Sequence, residues 1–234
     1  MKRKLLALSA LFSVFLLIPS CSGEAEGDID KKESGKDSTE VEEQSAYDIA
    51  PNYVPDNELP AECEFIDAYV DCHQWTDVNG KNYFVRSLGF PIPTEVRAQL
   101  GDPTETQYIY AFHYRETSDG ISLIHEYKDS VMACEFDIIM DHVEKCFFVT
   151  DLDEDDMGEV TYMYRLSCTS DVSPSTQKLH IVEGHDRYTV NGNSIVFDEG
   201  GEYELGEEFA NAPEGFEEHA IGIWEEHSDE MGGF

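Results

Sequence analysis

The sequence predicts a mainly β protein, an antiparallel meander that folds into a sandwich or a curled open barrel. From about residue 61 onwards, short apolar runs alternate with turn signals, which is the pattern of antiparallel strands. Helical periodicity is mostly absent from these runs. Aromatic residues make up 12% of the chain, with 13 Phe and 12 Tyr, and they supply enough apolar surface for a core.

Two hairpins open the predicted series. Residues 68–76 and 81–87 flank a turn that ends in Asn79-Gly80, and Asn-Gly accepts the positive φ angles of a tight hairpin. Residues 107–114 and 121–128 flank Ser118-Asp119-Gly120 in the same way. Further strands are predicted at residues 136–140, 146–150, 159–166, 178–183, 187–191 and 194–197. A sheet of about ten strands needs a second layer to cover its apolar face.

Two segments depart from the strand pattern. Residues 93–100 predict a short helix. Near the end of the chain, apolar residues recur at three- and four-residue spacing, namely Phe216, Ala220, Ile223 and Trp224. This spacing predicts a C-terminal amphipathic helix that caps the sheet.

The first twenty residues have the pattern of an export signal. Three cations precede an apolar stretch at residues 5–18, which is shorter than the roughly 20 residues needed to span a bilayer. The box Ile18-Pro19-Ser20-Cys21 resembles a bacterial lipoprotein signal, and the resemblance implies a signal peptide at 1–20 and lipidation of Cys21. Ordinary cleavage after Ser22 is the alternative, because Pro19 departs from the usual box.

Residues 21–60 predict a disordered, acidic tether, and residues 61–234 a single β-rich domain. The tether has too few apolar residues to offset the entropy lost on ordering. Its acids Glu24, Glu26, Asp28 and Asp30 resemble the export signal of surface-exposed lipoproteins in some Gram-negative bacteria, although a solvated spacer is an equal alternative. The expected location is the outer membrane, with the protein on its periplasmic or surface-exposed face.

The charge of the chain excludes nucleic acid as a partner. Fifteen Lys and Arg stand against 50 Asp and Glu, so the formal net charge is −35, which repels phosphate backbones. The expected partners are the membrane, through the N-terminal lipid, and polysaccharide or other envelope proteins.

Residues 151–159 carry oxygen ligands at the spacing of a calcium loop. Asp151, Asp153, Asp155 and Glu159 occupy positions 1, 3, 5 and 9, and the carbonyl of Met157 occupies position 7. Because strands are predicted on both sides, the segment resembles the hairpin calcium loop of integrin-type repeats more than an EF-hand. The sixth residue of the segment, where such loops usually have Gly, is Asp156, and Asp tolerates positive φ better than most residues. The alternative is a solvated acidic turn without an ion.

Six cysteines are present, and five remain after Cys21 is set aside. An exported chain meets an oxidising environment, but an odd number leaves at least one thiol unpaired. Spacing alone does not rank the pairings. We predict Cys63–Cys72, which would join the start of the domain to its first strand, and Cys134–Cys168, with Cys146 as a buried thiol. No pair has Cys-x-x-Cys spacing, so zinc has little support.

The block from Val149 to Gly184 resembles a family of small bacterial envelope proteins described as surface polysaccharide biosynthesis proteins. The matching features are the Asp-rich turn at 151–159, Cys168, the turn Asp171-Val172-Ser173-Pro174, Lys178-Leu179, and Cys134-Glu135-Phe136-Asp137. The resemblance implies a role in assembling or displaying surface polysaccharide. It implies no reaction and no catalytic residues.

No residue pattern indicates a reaction. The histidines lack His-Glu-x-x-His spacing, and no Gly-x-Ser-x-Gly turn or phosphate-binding glycine loop is present. The alternating aromatics Tyr108, Tyr110, Phe112 and Tyr114 form either a core face or a sugar-stacking surface. We therefore predict a non-enzymatic accessory or binding factor in surface polysaccharide assembly. A secreted polysaccharide hydrolase and a purely structural surface lipoprotein are the alternatives.

Overall fold

Antiparallel strands dominate residues 47–94 and 104–230, which are the residues that the computed structural model describes. The first six strands are β1 (Asn52–Tyr53), β2 (Ala68–Asp77), β3 (Gly80–Leu88), β4 (Ile92–Thr94), β5 (Thr104–Thr117) and β6 (Gly120–Cys134). The next seven are β7 (Asp137–Thr150), β8 (Glu159–Thr169), β9 (Thr176–Glu183), β10 (Asp186–Asn193), β11 (Ile195–Val196), β12 (Glu199–Gly200) and β13 (Tyr203–Leu205). The helix α1 (Phe216–His227) follows, and two short 3₁₀ helices lie at Asp56–Glu58 and Glu207–Asn211.

The strands form two large sheets and a small ribbon. The first sheet has the order β1-β2-β3-β5, with β4 and β6 also paired to β5. The second has the order β13-β10-β9-β8-β7, and β11 pairs with β12. The predicted fold class, mainly β and antiparallel, is confirmed.

A shared apolar core lies between the two large sheets. The first sheet contributes Trp75, Phe84, Ile109, Ala111 and Val131, and the second contributes Met140, Val160, Tyr162, Tyr164 and Val182. Because adjacent side chains of a strand point to opposite faces, each sheet also has an outer apolar face that needs its own cover.

The two predicted hairpins form around the turns that the sequence indicates. Asp77 pairs with Gly80 in the first, and Thr117 with Gly120 in the second, and both glycines have positive φ. The strands predicted at 136–140 and 146–150 are instead one strand, β7. A bulge between His142 and Phe147 interrupts its pairing with β8, which is why the intervening residues lack a strand pattern.

The helix α1 covers the outer face of the second sheet. Phe216, Ala220 and Trp224 are fully buried among residues of β8, β9 and β10 such as Met163, Leu179, Ile181 and Val190. The predicted C-terminal amphipathic helix is therefore confirmed.

The segment before β2 covers the outer face of the first sheet. Its residues Val54 and Cys63 pack in one cluster with Tyr110, Phe112 and Tyr114 of β5. The interpretation of this aromatic row as a sugar-stacking surface is wrong, because three of its four rings are buried by this segment, while Tyr108 is partly buried against it. The folded domain also begins before residue 61, since β1 already pairs with β2.

The prediction of a helix over residues 93–100 is wrong at its start. Ile92–Thr94 form β4, which pairs with β5. Pro93 fits there because β4 is an edge strand, where a residue without an N–H is tolerated. Residues 95–100 lie outside the described residues, as do the predicted signal peptide 1–20, Cys21 and the tether up to residue 46.

One of the two predicted disulfides forms. Cys134 is bonded to Cys168, and Cys146 is a buried thiol, as predicted. The predicted Cys63–Cys72 bond does not form: Cys63, in the segment before β2, and Cys72, in β2, are both buried thiols of one apolar cluster. Burial raises the pKa of Cys63 to about 12 and also raises that of Cys72, so both thiols are uncharged within the apolar cluster.

Within residues 47–94 and 104–230, no helix combines the length and hydrophobicity required to cross a membrane.

Candidate metal centre

Four carboxylates converge at the loop between β7 and β8. Each of Asp151, Asp153, Asp155 and Glu159 offers an oxygen that lies within 4.8 Å of the others. Alternate residues of the short loop supply three of the oxygens, and the first residue of β8 supplies the fourth. The structure therefore brings together the four acidic side chains for which the sequence predicts a common site.

The backbone of the loop folds around these carboxylates. The N–H of Asp155 donates to Oδ1 of Asp151 at 3.0 Å, and the N–H of Met157 donates to Oδ1 of Asp155 at 2.8 Å. Asp156 has a φ of 63° and Glu154 a φ of 62°, so both adopt the left-handed conformation. Asp156 thus takes the positive φ that the sequence predicts for this position, and the loop reverses direction without a glycine there.

Glu159 is the buried member of the group and is fully removed from solvent. Its Oε2 accepts hydrogen bonds from the N–H of Leu152 at 2.8 Å and the hydroxyl of Thr150 at 3.2 Å. Its Oε1 is buried and has no hydrogen-bond partner among the described residues. A buried carboxylate oxygen that accepts no hydrogen bond destabilises the folded state, and a bound proton or cation removes this destabilisation.

The electrostatics of the site favour a bound positive charge. Burial is the main reason why the pKa of Glu159 is raised to about 8, and the charges of Glu183 and Asp153 also raise this pKa. The hydrogen bonds from Leu152 and Thr150 lower it, but by less. Burial, followed by Asp155 and Asp151, also raises the pKa of Asp153, whose Oδ1 is buried without a partner among the described residues. Each carboxylate makes ionisation of the others less favourable, and a metal ion would reverse this effect.

The loop is attached to the first sheet through the β2–β3 hairpin. The N–H of Val78 donates to the carbonyl of Asp156 at 3.0 Å, and the N–H of Gly158 donates to Oδ2 of the buried Asp77 at 3.4 Å. These contacts position the acidic loop from both sheets of the sandwich, so the carboxylates are held by the core.

The donor set defines which ions fit. All four side chains present carboxylate oxygen, and Met157, whose carbonyl is the expected additional ligand, lies in the same loop. Hard cations such as calcium and magnesium prefer oxygen, whereas zinc and copper favour nitrogen and sulfur. The group is thus able to hold a hard divalent ion.

Sequence reasoning missed a fifth acidic residue, Glu183 at the end of β9. Burial raises its pKa to about 7, and Asp153, Asp155, Asp186 and Asp151 contribute to the shift. It is distant in sequence from the loop, and only the pairing of β8 with β9 brings it close.

A second polar cluster, also missed, lies where β6 packs across β8 and β9. The hydroxyl of Tyr164 donates to Oδ2 of Asp129 at 2.9 Å and lies 3.2 Å from Nε2 of His180. Lys178 donates to the same Asp129 oxygen at 2.6 Å. These residues come from three strands and have no common spacing, so no sequence motif could identify them. Their mutual hydrogen bonds satisfy polar groups at the border of the core.

No protein-family model, curated protein or solved structure matches this chain.

Proposed function

We propose that the protein is an exported, lipid-anchored β-sandwich that binds calcium at residues 151–159 and acts as a non-enzymatic accessory or binding factor in surface polysaccharide assembly. The observation that supports the ion site most directly is Glu159, which converges with three other carboxylates and whose buried Oε1 lacks a donor among the described residues. A bound cation would supply the missing partner.

Calcium suits the site better than magnesium. Calcium takes about six to eight oxygen ligands in a flexible arrangement, and four carboxylates with the Met157 carbonyl approach that number. Magnesium demands a smaller, regular octahedron and usually keeps several waters, which a site with a fully buried glutamate does not favour.

The proposed compartment is consistent with this ion. The leader with Cys21 supports export and lipid anchoring, and the Cys134–Cys168 disulfide is typical of oxidising environments. Extracellular calcium modules bind with Kd values of about 10⁻⁴–10⁻³ M, so even a calcium site of low affinity can be occupied outside the cytoplasm.

The polysaccharide role is supported by the resemblance of residues 149–184 to surface polysaccharide biosynthesis proteins. This block contains the acidic loop together with β8 and β9, so the resembling segment and the candidate metal centre coincide.

The geometry of the acidic group favours ion binding over glycoside hydrolysis. A hydrolase needs a protonated carboxyl that reaches the glycosidic oxygen of its substrate. Although the pKa of Glu159 is raised to about 8, its Oε2 is engaged by Leu152 and Thr150, and its Oε1 is buried. An ion can enter such a position, whereas a sugar ring cannot.

Thermal unfolding of the mature chain with and without calcium tests the metal proposal. A ligand that binds only the native state stabilises it by about 2.7 kcal/mol at 100 times its Kd. We expect calcium to raise the melting temperature of the wild type and of the control Glu225→Gln, which removes an exposed acid of α1. Without calcium, Asp153→Asn should have a higher melting temperature than wild type, because the repulsion among the four carboxylates is reduced. Calcium should raise the melting temperature of this variant much less than that of wild type. If calcium raised the melting temperatures of all three proteins equally, or of none of them, the proposal would be contradicted.

A glycan array with and without calcium tests the binding role. We expect the mature chain to retain surface glycans in calcium and to lose them in a chelator, with no change in glycan length. Release of shortened glycans would favour the hydrolase, and absence of retention in both conditions would favour a purely structural lipoprotein.

A further inference from the structure

The pairing of β8 with β9 places Glu183 opposite Glu159. Val160 is the register partner of Val182, and Thr161 is the partner of Ile181. Val160 and Val182 are the last paired residues, and continuing the same register by one residue puts Glu159 opposite Glu183. Both have the strand parity of Met163, Leu179 and Ile181, which face α1. Side chains directly opposite in such a pair have Cβ atoms about 4.5–5.5 Å apart.

Two acids at directly opposite positions destabilise a sheet unless a positive charge lies between them or near them. Here Glu159 converges with the carboxylates of Asp151, Asp153 and Asp155, and these three also act electrostatically on Glu183. The independent sign of a ligand is Glu159, a fully buried member of the convergent group whose Oε1 has no hydrogen-bond partner among the described residues.

We infer that Glu183 is a fifth carboxylate of the metal centre, so that the ion joins β9 to the β7–β8 loop. This inference rests on the proposed calcium site. Glu183 is not one of the four residues whose oxygens converge within 4.8 Å, so it takes an outer position and reaches the ion through a bound water. Calcium loops use this arrangement at one of their acidic positions.

The consequence is a link between two hairpins. Glu183 ends β9 and Asp186 begins β10, so an ion held by Glu183 also restrains the turn between them. Calcium should then slow amide exchange at the β9–β10 turn as well as in the acidic loop. Without Glu183 as a ligand, protection should stay within the loop.

Calcium titration by calorimetry of the full mature chain tests the assignment. Glu183→Gln and the control Asp186→Asn each replace one acid at the same end of the second sheet, and Asp186 is the exposed first residue of β10, directly opposite Glu183. We expect Glu183→Gln to weaken calcium binding at least tenfold and Asp186→Asn less than threefold. Thermal unfolding without calcium should show that both variants are folded, because removing an acid reduces the repulsion among the carboxylates at this end of the sheet.

The outcomes separate this inference from the proposed site. If wild type binds calcium and the two variants weaken it equally, Glu183 acts only through its charge and the inference is wrong, while the loop site stands. If Glu183→Gln alone is strongly weakened and calcium no longer protects the β9–β10 turn, the inference is supported. If wild type binds no calcium, the proposed site itself fails, and the inference with it.

Discussion

The indole of Trp75 occupies the space that a side chain at residue 158 would need. A Cβ built on Gly158 would lie 2.4 Å from Nε1 of Trp75 and 3.0 Å from Cγ1 of Val149. Trp75 belongs to the core between the two sheets, and Gly158 directly precedes Glu159. The end of the acidic loop is thus packed against the centre of the sandwich without any intervening side chain.

This contact predicts that Gly158→Ala destabilises the protein. Trp75 is only 2% exposed and cannot move aside freely, so the added methyl should cost about 1–3 kcal/mol, as overpacking of cores does. Urea denaturation measures the change. The control is Gly222→Ala in α1, where an added Cβ meets nothing within 4 Å. It should stabilise by about 0.5–1 kcal/mol through helix propensity. Equal effects at the two positions would contradict the packing argument.

The left-handed conformation of Asp156 leads to a second prediction. Asp156→Gly and Asp156→Ala both remove the carboxylate, so the difference between them reports the backbone: the strain of Ala at positive φ, less the larger entropy that Gly loses on folding. At a φ of 63°, Ala is strained and Gly is not. We expect Asp156→Ala to be less stable than Asp156→Gly by about 1–2 kcal/mol in chemical denaturation. Equal stabilities would show that this φ is not maintained in solution.

The parts of the fold that depend on local chemistry could be predicted from the sequence. Gly80 accepts the φ of 125° that its hairpin needs, and the spacing of Phe216, Ala220 and Trp224 specifies a one-faced helix. In the same way, alternate acids within one short loop converge because the loop itself brings them together.

The parts of the fold that depend on tertiary pairing could not be predicted from the sequence. Glu183 faces Glu159 only because of the β8–β9 register, and nothing in the residues around Glu183 identifies that partner. For a similar reason, the sequence does not predict that the segment before β2 packs on the outer face of the first sheet. Val54 and Cys63 lie in a polar segment that gains its order by packing on the aromatic row of β5.

The disulfide leads to a third prediction. Cys134 and Cys168 are 34 residues apart in sequence, so the bond closes a loop that would contribute about 3–4 kcal/mol in the chain-entropy model. We expect Cys134→Ala/Cys168→Ala to lose about this free energy of unfolding. A reductant should lower the urea midpoint of the wild type and leave that of the double variant unchanged. A wild type that is insensitive to reductant after unfolding and refolding would show that the bond carries no stability.

The fourth prediction concerns the buried His113. Its Nε2 lies 3.0 Å from Oδ1 of Asn82, which also accepts from Arg115, so the Nε2 carries the proton. Its Nδ1 is buried without a partner among the described residues. Protonation would place a second N–H at that atom without an acceptor. Burial, followed by Arg115 and His125, accordingly lowers the pKa of His113 from 6.5 to about 3.

Between these two pKa values the unfolded chain binds a proton at residue 113 and the folded chain does not. The contribution of His113 to stability is therefore present above pH 6.5 and is lost as the pH falls towards 3, by about 1.4 kcal/mol per pH unit.

The contributions of other titrating groups cancel when wild type is compared with His113→Gln at each pH. We expect the difference in free energy of unfolding, wild type minus variant, to fall with this slope between pH 6 and 4. A difference that does not change with pH would mean that the folded protein accommodates the charged imidazole, and the neutral, Nε2-protonated His113 would then be wrong.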